Sequence, residues 1–283
     1  MSIKMKNLLT HLQHPNSTKD YQAEDEPDAI KISEYWGRRT YQNQKPKISF
    51  ELFPPKSDSA NKLLKKTHQK LSEINPDYFS VTFGALGLSQ NDTFDTVADL
   101  SENTKIPIIP HLTCVGIDKK QVTDLLDEYI AQGVNQIMVL KGDYPKTIIK
   151  KGDFNYANEM VEFIKENYLD INILVAAYPE KHPHSNCISK DIDFFVNKVN
   201  AGADEAVTQY FYNIDAYLHF IEEVQKRNID IPITPGIMPI TNYDQLIYFS
   251  KTCGAEIPAW ILNKLKLYKN DLNSLKEFGE DVV

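Results

Sequence analysis

From Lys47 onward, short apolar runs alternate with segments whose apolar positions recur every three to four residues. The short runs are rich in β-branched and aromatic residues, which marks strands. The longer segments carry the period of amphipathic helices. Seven strand-like runs stand out: KISFELFPPK, YFSVTFG, IPIIPHLTC, QIMVLKGD, INILVAAYPEKHP, EAVTQYFY and PITPGIMP. Between and after them the periodicity predicts helices over Asn61 to Ile74, Asp92 to Asn103, Lys119 to Gln132, Ala157 to Tyr168, Ser189 to Ala201, Ile214 to Arg227 and Asn242 to Thr252. IPAWILNKLKLYK and DLNSLKEFGEDVV also read as helix. Asp118 and Asn213 stand where helix N-caps belong, and Gly133 and Gly202 where helices should stop. The strands are apolar along most of their length, as parallel strands covered on both faces should be.

Strand and helix alternating in this way predict an α/β fold, a (β/α)₈ TIM barrel. No eighth strand is visible before Val283. The expectation is therefore a chain short of its native length, or a seven-stranded barrel that does not close, with the last strand lacking. The unpaired first strand would then leave Glu51 open to solvent. Residues 1–45 are polar and irregular and read as an N-terminal arm, with a short helix over Ile30 to Tyr41 and a flexible acidic stretch from Ser17 to Asp28. Residues 46–283 form the barrel domain.

Polar residues mark the strand ends. Glu51, Thr82, His111, Asp143, Tyr178 and Gln209 follow one another at intervals of 29 to 35 residues. That is about one βα unit. In a barrel, such residues converge on the C-terminal mouth, where this fold does its chemistry. Glu51 lies in an otherwise apolar strand, facing opposite to Phe50 and Leu52. Burial at the mouth would raise its pKa and suit it to general-acid work, while a structural salt bridge is the equal alternative. Asp143 follows Gly142 and could face a ligand or serve only as a turn residue. His111 alone could equally be a hydrogen-bonded core residue.

Charge and cysteines narrow the classes. With 31 Lys plus Arg against 39 Asp plus Glu, the net charge is −8, which argues against a nucleic-acid binder. The three cysteines, Cys114, Cys187 and Cys253, form no CxxC pair, so neither a disulfide framework nor a structural zinc site is expected. His182 and His184 flank Pro183 without metal-ligand helical spacing, and no metal is expected. The sequence contains neither GxGxxG nor a Walker motif. The N-terminus has no secretory core and no run could span a bilayer, which points to a cytoplasmic protein with no membrane partner.

SFELFPPK, SVTFGALG, PHLTC, VLKGD, VAAYPEKHP, NAGADEAVTQYFY, TPGIMPI and IPAW, in that order, resemble the successive signatures of the methylenetetrahydrofolate reductase family from Lys47 to about Trp260. The resemblance implies an FAD-binding barrel that takes a hydride from NADH or NADPH and reduces 5,10-methylenetetrahydrofolate to 5-methyltetrahydrofolate, in one-carbon metabolism and methionine supply. It implies a catalytic acid at Glu51 and a charge-stabilising carboxylate at Asp143. It implies flavin contacts from Thr82, His111, the run Leu140, Lys141, Gly142 and Asp143, and from Tyr178, His182, Asp191 and Lys198. Folate contacts fall on Glu51, Gln209, Gln245 and Phe249. It also implies a homo-oligomer. A flavin-binding barrel without reductase activity is the alternative. A phosphate-sugar lyase on the same fold would want a Schiff-base lysine inside a strand, and Lys141 is the only lysine at a strand end.

Overall fold

The computed structural model describes residues 46–83, 90–142 and 152–283. The chain divides into two compact units between Ile48 and Ser49, and every element below belongs to the second. The helix expected over Ile30 to Tyr41, the glycine-containing turn after the second strand and Asp143 lie outside the described residues.

The elements run β1 (Ser49–Leu52), α1 (Asp58–Ser72), β2 (Tyr78–Val81), α2 (Gln90–Ser101), β3 (Ile108–Thr113), α3 (Lys119–Ala131), β4 (Gln136–Leu140) and α4 (Ala157–Asn167). They continue with β5 (Asn172–Ala177), α5 (Ile188–Asn200), β6 (Glu205–Thr208), α6 (Ile214–Lys226), β7 (Ile233–Thr234), α7 (Tyr243–Cys253), α8 (Ala259–Leu267) and α9 (Leu272–Val282). The seven strands form one parallel sheet in the order β1 to β7. This is the curled βα barrel expected, and among the described residues no strand joins β1 to β7. Among the described residues, β1 and β7 are the outermost strands of the sheet.

Strand alternation sorts the side chains into two layers. Phe79, Val81, Leu112, Ile137, Val139, Ile173, Val175 and Ala206 pack outward with helix residues such as Leu126, Met160, Ile164 and Phe220. The opposite face buries a smaller cluster of Tyr78, Ile109, Met138 and Leu174, with Leu140 and Val207 against it. Apolar residues on both faces explain the near-continuous hydrophobic runs.

Local chemistry sets the helix ends. Asp118 accepts from the Gln121 amide at 2.9 Å, and the Gln121 side chain accepts from the Asp118 amide at 3.0 Å, a complete capping box. Asn213 accepts from the Asp215 amide at 3.1 Å. Gly133 and Gly202 follow α3 and α5 with φ of +84° and +115°.

Two sequence expectations need correction. The first helix begins at Asp58 rather than Asn61, because the Ser57 hydroxyl caps the Ala60 amide at 3.2 Å. The seventh strand shrinks to Ile233–Thr234. Proline on both sides removes ladder donors, and Gly236 then crosses under β6, its amide donating to Thr208 Oγ1 at 2.9 Å.

Candidate functional site

Register places the strand-end residues on one face. Glu51 pairs with Ser80, Ser80 with Ile109, His111 with Met138, Met138 with Leu174 and Leu174 with Glu205. Counting along each strand in steps of two, Glu51, Thr82, His111, Leu140, Tyr178 and Gln209 share the parity of the inner cluster. They point into the barrel at its C-terminal end, where this fold carries its active sites.

Glu51 is exposed, as the sequence led one to expect. Part of its surface meets water, while the surrounding protein strips enough hydration from the carboxyl to raise its pKa. Thr82 and His111 are buried. Thr82 Oγ1 and His111 Nε2 have no hydrogen-bond partner among the described residues. Burial pushes His111 down to about 4, so its imidazole is neutral at pH 7.

At the end of β4, Leu140 and Gly142 face inward and half-buried Lys141 faces the other way, its ammonium 5.2 Å from the Tyr156 ring. Gly142 has φ of +78°, and a Cβ there would stand 2.8 Å from Thr113 Cβ. The position therefore needs glycine on both counts. Beneath it the Cys114 thiol donates to the Leu140 carbonyl at 3.1 Å. Burial pushes this thiol up to about 12, which makes it inert packing.

The loop after β5 is held from α5. Asp191 accepts from the His182 amide at 2.8 Å. Tyr178 and His182 meet edge to face at 4.7 Å. Lys198 donates to the Ala176 carbonyl. Desolvation pushes its ammonium down to about 8, opposed by Asp191 and then Cys114. The resemblance marks Lys198 as a cofactor contact; here its amine ties α5 to the end of β5.

Tyr178 and Gln209 line a common cleft with Glu180, Tyr210 and Cys253. Glu180 accepts from the Glu256 amide at 2.7 Å through Oε2, and Oε1 is buried without a partner among the described residues. Desolvation raises its pKa, with the Glu256 amide opposing. Gln245 is exposed and Phe249 half-buried, one turn apart on α7. Tyr210 and Ser250 escaped the sequence reading because they lie 40 residues apart. No group of three or more His, Cys, Asp or Glu among the described residues could hold a metal. No described helix is long and apolar enough to cross a membrane.

The orphaned Thr82 hydroxyl and His111 imidazole and the desolvated Lys198 ammonium fit a polar heteroaromatic ligand carrying phosphate. FAD is such a ligand.

Comparison with known proteins gives consistent results. The model of the family described as methylenetetrahydrofolate reductase matches residues 37–283. The 5,10-methylenetetrahydrofolate reductase of Buchnera aphidicola subsp. Schizaphis graminum is 37% identical over 241 residues, covering 85% of this chain and 82% of that protein. The Escherichia coli enzyme of the same name is 32% identical over 236 residues, covering 83% and 79%. A rice protein named probable methylenetetrahydrofolate reductase (NADH) is 31% identical over 246 residues, covering 82% of this chain and 41% of its own length. Among solved structures, an uncharacterized protein from Clostridium thermocellum that binds two copies of 5-methyl-5,6,7,8-tetrahydrofolic acid superposes with a TM-score of 0.60 at 17% identity, covering 84% of this chain and 81% of that one. At that identity the likeness shows the fold.

Proposed function

The chain belongs to the methylenetetrahydrofolate reductase family, and from that premise we propose that it reduces 5,10-methylenetetrahydrofolate to 5-methyltetrahydrofolate with FAD as hydride carrier and NADH or NADPH as hydride source. The observation that carries the flavin reading is the buried, unpartnered pair Thr82 Oγ1 and His111 Nε2 on the inner face. Each such group costs about 1–3 kcal/mol when left unmade. A ligand with ring carbonyls and ring nitrogens offsets that cost. Bound FAD supplies two-electron hydride chemistry that no side chain can.

The protein supplies orientation and charge. Thr82, His111, Leu140, Gly142 and Tyr178 hold the ring system, and Lys141, His182, Asp191 and Lys198 the phosphate-bearing part. Gln209, Gln245 and Phe249 bind the folate. Glu51, whose carboxyl pKa is raised by desolvation, is the acid that protonates the bridging nitrogen of the folate. That nitrogen leaves, and the remaining iminium carbon becomes the hydride acceptor. Asp143, assigned by its motif, stabilises that cation by charge. The assignment extends to a cytoplasmic homo-oligomer in one-carbon metabolism, supplying methyl groups for methionine.

The test is spectroscopic. Protein reconstituted with FAD should show bound-flavin absorption, bleach with NADH or NADPH under anaerobic conditions, and recover colour with methylenetetrahydrofolate. Glu51→Gln should bleach at the normal rate and recover on the order of 10²–10⁴-fold more slowly. Equal loss in both halves would make Glu51 structural. Flavin uptake without bleaching by either nucleotide would identify the flavin-binding barrel without reductase activity.

A further inference from the structure

Three residues at the end of β6 stitch the following segments to the sheet. Thr208 Oγ1 accepts from the Gly236 amide at 2.9 Å. Tyr212 donates to the Met238 carbonyl at 3.2 Å. Between them, the Tyr210 hydroxyl and Ser250 Oγ lie 3.1 Å apart. Tyr210 and Ser250 are 9% and 6% exposed, too buried for water to replace the bond.

The residues the bond joins are neighbours of the proposed folate contacts. Gln209 directly precedes Tyr210, and Phe249 directly precedes Ser250. Gln245 lies one turn before Phe249 on α7. Without the bond, α7 is anchored on its apolar side by Leu246, in a cluster with Ile240, Ile261, Leu265 and Leu275. Apolar contact is non-directional and tolerates a small slide or roll of the helix. A hydrogen bond between two buried hydroxyls does not, because its distance and angle are narrow.

We propose that Tyr210 and Ser250 are a positioning pair that sets α7 against β6, so that Gln245 and Phe249 meet the folate at the same time as Gln209. Neither side chain takes part in the reaction. The proposal rests on the folate-reductase reading and adds to it the device that aligns the substrate arm.

The experiment uses FAD-loaded full-length chain and varies methylenetetrahydrofolate in Tyr210→Phe, Ser250→Ala and the double variant. KM for the folate should rise about 5-fold in each single variant, the order expected of one neutral hydrogen bond, with kcat within about 2-fold. The double variant should match the singles, because the two deletions remove one shared interaction. A folded Tyr210→Phe with lowered thermal midpoint and unchanged KM would make the bond purely structural and overturn the proposal. So would multiplied effects in the double variant. If Tyr210→Phe does not fold, Ser250→Ala decides alone by its KM. Wild-type protein that fails to turn over the folate would instead remove the function from which the pair takes its role; wild-type turnover with unaltered variants removes only the pair.

Discussion

Gly236→Ala is the most exacting test of how the β6 end holds the segment that follows β7. A Cβ at residue 236 would lie 2.2 Å from the Thr208 carbonyl oxygen and 3.2 Å from the Tyr210 amide nitrogen. Ordinary contact begins near 3.4 Å, so the backbones must part by roughly 1 Å. The strand is the stiffer partner, since the Gln209 amide next to that carbonyl donates to Ala177 at 2.8 Å. The loop therefore moves, and its amide leaves Thr208 Oγ1. Overpacking costs about 1–3 kcal/mol, and the lost hydrogen bond about 0.5–1.5 kcal/mol. Reduced freedom of the unfolded chain returns about 0.4–1 kcal/mol. The net is destabilisation by about 2 kcal/mol, a large share of a stability of roughly 5–15 kcal/mol. Equilibrium urea unfolding should show the midpoint lowered by about 1 M for a slope of about 2 kcal/mol/M. The folate KM should rise as well, because α7 follows the displaced loop. A midpoint within about 0.2 M of wild type would refute the close approach itself.

Three further predictions concern charge and local structure. His111 has an unfolded pKa of about 6.5 and a folded value of about 4, so the folded state binds fewer protons and stability falls as pH drops through that interval. Between pH 7 and 5 the flavin-free protein should lose about 2 kcal/mol from this residue, and His111→Gln should flatten the dependence in paired urea titrations. Lys198, held at about 8 by desolvation, is charged at pH 7 and largely neutral at pH 9.5; FAD affinity should weaken across that range by fluorescence titration, and Lys198→Met should abolish the pH dependence. Asp118→Ala breaks the capping box of α3 and should lower stability by about 1 kcal/mol, read as a drop in thermal midpoint with unchanged flavin binding.

The fold was legible where local chemistry decides it. Asp118 and Asn213 cap the helices their positions announce. Glu51 faces away from Phe50 and Leu52, which pack into the outer layer, because alternation within a strand needs only one known neighbour. The failures came where distant backbone intervenes. PITPGIMP has the composition of a strand, yet two residues pair, since Gly236 is drawn under the Thr208 carbonyl. The Ser57 cap looked like loop because Ser57, Asp58 and Ser59 carry no apolar period. Only the hydroxyl's bond to the Ala60 amide reveals the extra turn.

Legibility of the site follows the same division. Five of the six strand ends, Glu51, Thr82, His111, Tyr178 and Gln209, fall on one face because each lies within or just past a strand, and the register carries that parity from β1 to β6; Asp143 lies outside the described residues. Beyond the strands the period is lost, and type and spacing stop specifying direction. Lys141, one residue from inward-facing Leu140, lies over Tyr156. Lys198, which the resemblance marks as a cofactor contact, also donates to the Ala176 carbonyl on the strand its own helix packs against. Neither partner is visible without the tertiary structure. The residues proposed to bind the ligand are thus written in the strand ends, whereas the contacts that hold neighbouring segments in place are written in pairs such as Tyr210 and Ser250. Such pairs acquire meaning only when the helix after one strand returns to the end of another.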